Sequence, residues 1–212
     1  NLAEKFPLSK KSILEPDEKE LMSTDYCASS AIVAAYNEKP TATQFMEEWL
    51  ALAQSGSGER GIFNRGGLKK QLPERRWKVF EEDSHTSGTN PCGEIVLKSK
   101  EFCNLSEVVC RLEDTEDTLL RKTRLATILG TYQSTLTNFP YLSKEWKKNC
   151  DEERLLGVSI TGQWDSPGVR NPETLKKMKE VAIKTNQEFA KKMGVNVSTC
   201  ITCVKPSGTV SQ

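Results

Sequence analysis

Residues 155–204 constrain the fold more than any other stretch of this chain. Two short apolar runs, 155–161 and 199–204, bracket a segment patterned as a helix. Asn171-Pro172-Glu173 opens that segment with a capping side chain and a proline at the first helical position, where the missing N–H costs nothing. Leu175, Met178, Ala182, Thr185 and Phe189 then recur at helical spacing, and Gly194 suits a helix terminus. Each apolar run is short enough for a buried strand.

The same alternation extends upstream. Residues 92–98 and 102–110 read as two strands around Ser99-Lys100, and residues 115–137 as a helix. Leu125, Ile128, Leu129, Tyr132 and Leu136 form that helix's apolar stripe. Thr41 and Gln44 have capping-box spacing, so a helix is expected from there to about Gln54, with Phe45, Trp49 and Leu52 at helical intervals. Residues 55–58 end it, residues 61–64 form a short strand, and Gly66-Gly67 breaks that strand. Residues 68–89 look polar, basic and irregular, and residues 1–25 read as loop. Strands alternating with helices predict an α/β architecture, either sheet or barrel.

Composition narrows the function classes. Thirty basic and 29 acidic residues leave a net charge of +1, so no global field favours nucleic acid or an acidic membrane. No apolar run approaches the roughly 20 residues of a membrane helix, and Asn1 to Lys11 is too polar for a signal peptide. Seven cysteines, an odd number without a secretory signal, argue for reduced thiols in a cytoplasmic protein. The single histidine, His85, excludes His-rich metal sites, and no metal site is expected. The chain begins without Met and stops at Gln212, so both ends read as cut from a longer protein.

Asn90-Pro-Cys-Gly-Glu-Ile95 is the segment richest in chemistry. Side chains of an extended chain alternate faces, which would put Asn90, Cys92 and Glu94 together. An amide can orient hydroxyls, a carboxylate can take a proton, and a thiol can do nucleophilic or radical chemistry. Cys103 follows eleven residues after Cys92, and a hairpin would bring it to the same pocket. Two neighbouring thiols in a reducing compartment suggest redox work.

These residues, followed by Glu101-Phe-Cys-Asn-Leu-Ser-Glu-Val108, resemble the active-site finger loop of ribonucleotide reductases. The eleven-residue cysteine spacing is similar to that of the adenosylcobalamin-dependent class II enzymes, and the wording is most like the monomeric ribonucleoside-triphosphate reductases. Residues 57–65, 146–162 and 204–212 resemble further stretches of that family, so the likeness covers about residues 45–212. It implies that residues 1–212 are part of one catalytic domain, a ten-stranded α/β barrel. The finger loop would occupy about 88–108 and a substrate-phosphate loop about 205–211. Cys92 matches the thiyl-radical cysteine that removes the ribose 3′-hydrogen. Glu94 matches the base on the 3′-hydroxyl, Asn90 the amide that binds the substrate hydroxyls, and Cys103 one of the two reducing cysteines. Pro206, Ser207, Gly208, Thr209, Val210 and Ser211 match the phosphate loop. The resemblance further implies adenosylcobalamin, bound mostly outside this segment. A thioredoxin-type reductant would act through C-terminal cysteines absent here, and the parent would be monomeric. A reductase of another class, or an inactive nucleotide-binding module, are the alternatives. The spacing and the intact Asn90, Cys92, Glu94 and Cys103 weigh against them.

Cys200-Ile-Thr-Cys203 lacks the second ligand pair of a zinc site. On a strand its two thiols face opposite sides, so both are expected to be structural. Cys27, Cys110 and Cys150 are also expected to be bystanders, and His85 to be solvated.

Overall fold

The computed structural model describes residues 32–56 and 60–205. The expected loop at 1–25, Cys27 and the phosphate loop at 206–211 lie outside them.

The chain opens with a strand–helix–strand unit. β1 (Ile32–Tyr36) pairs in parallel with β2 (Arg60–Asn64), and α1 (Ala42–Ser55) connects them. The expected cap is present: the Thr41 hydroxyl accepts from the Gln44 N–H, and Gln44 accepts from the Thr41 N–H. Gly56 ends the helix in the left-handed conformation, with φ of 60°. The apolar side chains of α1 are largely unburied; Phe45, Met46, Trp49 and Leu50 are all exposed.

Residues 68–86 are mostly helical rather than irregular, and residues 88–89 form a short strand. α2 (Leu68–Gln71) and α3 (Glu74–Phe80) precede a 3-10 turn at Glu81–Thr86, on which His85 is exposed. Leu68 and Phe80 are buried, and so is Arg76. Counting Arg76 as a solvated charge hid the buried face, because its partner, Glu153, lies 77 residues away.

The larger layer is also parallel. β5 (Asn104–Val109) pairs with β6 (Leu156–Thr161), in register from Asn104↔Leu156 to Val109↔Thr161. Residues 200–203 run along the other side of β6: Leu156 N–H donates to the Cys200 carbonyl, Val158 N–H to Ile201 and Cys203 N–H to Val158. Thr202 forms a parallel bridge with Val158. α4 (Glu116–Gln133) and α5 (Lys144–Glu153) connect β5 to β6, and α6 (Pro172–Met193) connects β6 to the third strand position. Asn171 caps α6 and Gly194 terminates it, as expected. The core is Val108, Leu119, Ala126, Leu156, Val158, Met178, Ala182 and Ile201, between this sheet and helices α4 and α6.

α4 buries a different face from the one expected. Leu125, Leu129, Tyr132 and Leu136 are exposed, whereas Leu119, Thr123, Ala126, Thr127, Gly130 and Thr131 are buried. The three threonines donate to the carbonyls one turn back, Leu119, Thr123 and Thr127, at 2.8 Å each. Their polar atoms are therefore satisfied within the helix. Their small volume lets the helix approach the sheet closely: a Cβ on Gly130 would lie 3.4 Å from the Ser106 hydroxyl.

The expected pairing of 92–98 with 102–110 does not occur. β3 (Gly88–Thr89) pairs antiparallel with β4 (Val96–Leu97), and residues 102–110 give their hydrogen bonds to β6. The α/β class holds. The described residues contain three two-stranded sheets, not a closed ten-stranded barrel.

Candidate functional site

The candidate site lies on the face of the β5–β6 sheet turned away from the helices. Asn104, Ser106 and Val108 are the more buried residues of β5, while Leu105, Glu107 and Val109 are exposed on the opposite face. Gly157 and Ser159 pair with Leu105 and Glu107. A Cβ on Gly157 would meet Leu105 Cδ2 at 2.5 Å, Cys203 Sγ at 2.9 Å and Ile95 Cδ1 at 3.8 Å. The bare glycine backbone thus lets the third strand position, β5 and the 90–95 loop converge at one place.

That loop is not extended. Thr89 pairs with Val96, and the six residues between them fold into a tight turn. Asn90 N–H donates to the Ile95 carbonyl at 3.0 Å and Gly93 N–H to the Asn90 carbonyl at 2.9 Å. The Asn90 side chain accepts from Ile95 N–H at 2.9 Å. Gly93 adopts φ of 82°, which the turn requires and a side chain would resist. The alternation that was to align Asn90, Cys92 and Glu94 therefore does not apply. Cys92 sits exposed on the turn, whereas the Glu94 side chain is only 9% exposed.

Lys205 unites these groups. Its ammonium forms an ion pair and hydrogen bond with Glu94 Oε1. Glu94 Oε2 is buried and accepts no hydrogen bond from a described residue. Burial pushes the Glu94 carboxyl up, but the Lys205 hydrogen bond, a backbone N–H, the Asn90 amide and the Lys205 charge outweigh it. The group is held below the ordinary carboxylate value. Lys205 is raised in return, mainly by its bond to Glu94, with smaller contributions from Cys92 and Cys203.

Cys103 stands immediately before β5. Burial raises its pKa, partly offset by the Lys205 charge and reinforced by Glu94 and Glu101. Its neighbour Phe102 is fixed by stacking on Trp146 at 4.5 Å and by an edge contact with Phe139 at 5.3 Å. The connection from the turn is clamped as well. Asn149 of α5 donates to the carbonyls of Ser99 and Lys100 at 2.8 and 3.2 Å. Buried Lys98 pairs with Asp83 and Glu152 at 3.2 and 2.8 Å. No hairpin is needed to bring Cys103 to Glu94, because the β5–β6 register and these clamps do so.

Cys203 corrects an expectation. Its pKa is pushed up to about 11 by burial, with Glu94 and Cys103 adding to the rise. It therefore belongs to the same cluster as Glu94, Lys205 and Cys103 and is not a remote structural thiol. Cys200 does lie elsewhere, beside Arg76 and Arg75. The opposite facing expected of a strand separates the two thiols. Lys205 was legible only as a charge beside a loop; its partner is 111 residues away. Cys110 and Cys150 are buried in the interior.

No family model matches this chain. Curated relatives do. It is 28% identical over 159 residues to the adenosylcobalamin-dependent ribonucleoside-triphosphate reductase of Lactobacillus leichmannii, covering 61% of this chain and 21% of that protein. The protein of the same name from Lacticaseibacillus paracasei is 27% identical over 200 residues, covering 77% and 25%. The resemblance read from the motifs is borne out. This chain is similar to adenosylcobalamin-dependent ribonucleoside-triphosphate reductases. It spans about a fifth to a quarter of the length of these relatives. A solved B12-dependent class II ribonucleotide reductase is 28% identical, with a TM-score of 0.44, over 58% of this chain and 21% of that one. No described helix is long and apolar enough to cross a membrane.

Proposed function

We propose that this chain is the central part of an adenosylcobalamin-dependent ribonucleotide reductase that acts on ribonucleoside triphosphates in the cytoplasm. The observation that carries the proposal is the convergence of Glu94, Lys205, Cys103 and Cys203 beside the turn bearing Cys92, in a chain similar to enzymes of that name.

Each group suits one step. Cys92 is the exposed thiol among the described residues and takes the hydrogen-abstracting role at the ribose 3′ carbon. Its exposure fits a radical generator approaching from outside these residues, and the surface holding adenosylcobalamin is assigned mostly to the rest of the parent. When bound, that cofactor supplies the radical chemistry that the protein then directs and shields. Glu94 is held below the ordinary carboxylate value and has an oxygen without a partner among the described residues, so it accepts the 3′-hydroxyl proton. Asn90 donates to the substrate hydroxyls. Cys103 supplies one of two thiol hydrogens after the 2′-hydroxyl leaves as water; its disulfide partner lies elsewhere in the parent, which a thioredoxin-type reductant recycles. Residues 206–211 hold the phosphates, supported by sequence resemblance and by their position directly after Lys205.

Turnover of the full-length parent with and without adenosylcobalamin tests the reading. Cys92→Ser should abolish deoxynucleotide formation and leave nucleotide binding nearly intact. Turnover above about a tenth of wild type, only about 1.4 kcal/mol of barrier, would remove Cys92 from the radical role.

A further inference from the structure

The Glu94–Lys205 pair makes the two oxygens of one carboxylate unequal. Oε1 is taken by the ammonium, while Oε2 is buried and has no partner among the described residues, on a side chain nine-tenths removed from solvent. A buried carboxylate oxygen without a donor is costly, because its lost hydration is not repaid. That cost is removed if an incoming donor completes the site. We propose that Lys205 is the positioning residue for Glu94: by occupying one oxygen, it leaves the other as the single acceptor for a substrate hydroxyl. The inference rests on the proposed function, which makes Glu94 the base, and adds a residue to it.

Three further observations support the assignment. The pair is built into the backbone. Cys203 N–H is bonded to the Val158 carbonyl two residues before Lys205, and Asn90 closes the turn that carries Glu94. The charges around Glu94 leave Lys205 as the dominant partner. Cys103 and Cys203 also face Glu94, but both are held as neutral thiols by burial, and Cys92 faces Lys205. Finally, burial alone would favour protonated Glu94, which cannot accept a proton, and the ammonium opposes this. Lys205 thus fixes both the geometry and the ionisation of the base. The folded-state carboxyl is depressed, so the ionised form is present at and above the ordinary carboxylate value and is lost as pH falls below it.

The experiment uses the full-length parent with Lys205→Met, Lys205→Gln and Lys205→Arg. The first readout is the protonation of Glu94, followed by infrared spectroscopy as the difference from Glu94→Gln. The second is the acid limb of kcat/KM against pH. Both neutral variants should raise the Glu94 titration and the acid limb together. They should lower kcat at least tenfold at a pH below the new limb, with KM changed less than threefold; Lys205→Arg should restore most of the shift. An unmoved Glu94 titration in whichever neutral variant folds overturns the proposal. So does a loss confined to KM, which would make Lys205 a phosphate contact. If the titration moves but wild type does not reduce ribonucleotides, the pairing stands and the functional reading falls, taking with it the role in catalysis.

Discussion

Arg76→Met should be the most damaging single change away from the candidate site. Arg76 is 2% exposed and Glu153 is fully buried. Two nearly parallel bonds join them, Nε to Oε1 and a terminal nitrogen to Oε2, both 3.1 Å. The same guanidinium lies 3.6 Å from buried Glu101 and 4.7 Å from the centre of the Phe80 ring. Burial and the neighbouring Glu153 raise the Glu101 carboxyl well above its ordinary value, and Glu153 is the carboxylate bonded directly to Arg76. Removing one partner of a buried pair costs about 3–5 kcal/mol, because the other charge is left uncompensated. Methionine keeps the packing on Phe80, which places the expected loss near the low end, about 3 kcal/mol. That is a large share of the roughly 5–15 kcal/mol of a typical domain. Urea unfolding followed by tryptophan fluorescence should give a lower midpoint at unchanged slope. Adding Glu153→Met should recover part of the loss. A loss under about 1 kcal/mol would mean that the network is solvated in solution, and would refute the reasoning. The consequence reaches the site. The Glu153 carbonyl accepts from Thr199 N–H at 3.0 Å, and Oε1 accepts from its hydroxyl at 2.9 Å. Arg75 donates to the Thr199 carbonyl at 2.7 Å. Thr199 starts the segment that delivers Cys203 and Lys205.

Other expectations follow from the same structure. Glu101 has a raised folded pKa, so its contribution to stability is complete below the ordinary carboxylate range and is lost as pH rises through the folded value. Glu101→Gln should therefore gain on wild type in urea unfolding as pH rises above the ordinary carboxylate range, and a constant difference would sink the assignment. Gly162→Ala should destabilise by about 2 kcal/mol or more, since φ is +74° and the new Cβ would lie 2.3 Å from the Cys110 carbonyl oxygen. A wild-type unfolding midpoint would contradict it. Alkylation at pH 8 read by mass spectrometry should label exposed Cys92 well before Cys110, Cys150 and Cys203, whose thiols burial pushes up to about 11. Equal rates would count against the buried positions.

The local signals in the sequence carried far. The Thr41–Gln44 box, the Asn171-Pro172 helix start and the Gly194 stop all depend on neighbouring residues, and each holds. The α/β class follows from alternating patterns of the same short range. The Asn90–Ile95 motif pointed to the site because it concentrates an amide, a thiol and a carboxylate in six residues. Propensity failed where burial was bought by means other than apolar side chains. The threonine face of α4 was invisible because hydroxyls bonded to their own helix pass as polar, and the exposed Leu125–Leu129 stripe looked like the core.

What the sequence determined by itself was the kind of chemistry, through residue types held close together in the chain. Tertiary structure decided which groups meet. The turn at 90–95 replaced the extended segment because the Asn90 side chain and backbone close on Ile95. The parallel register of β5, β6 and residues 200–203 brought Cys103, Gly157 and Cys203 to one face. Arg76 found Glu153 across 77 positions, and Glu94 found Lys205 across 111. An isolated charge in a sequence reads as solvated, since water is its default partner. Only the fold can remove that water and supply the opposite charge in its place.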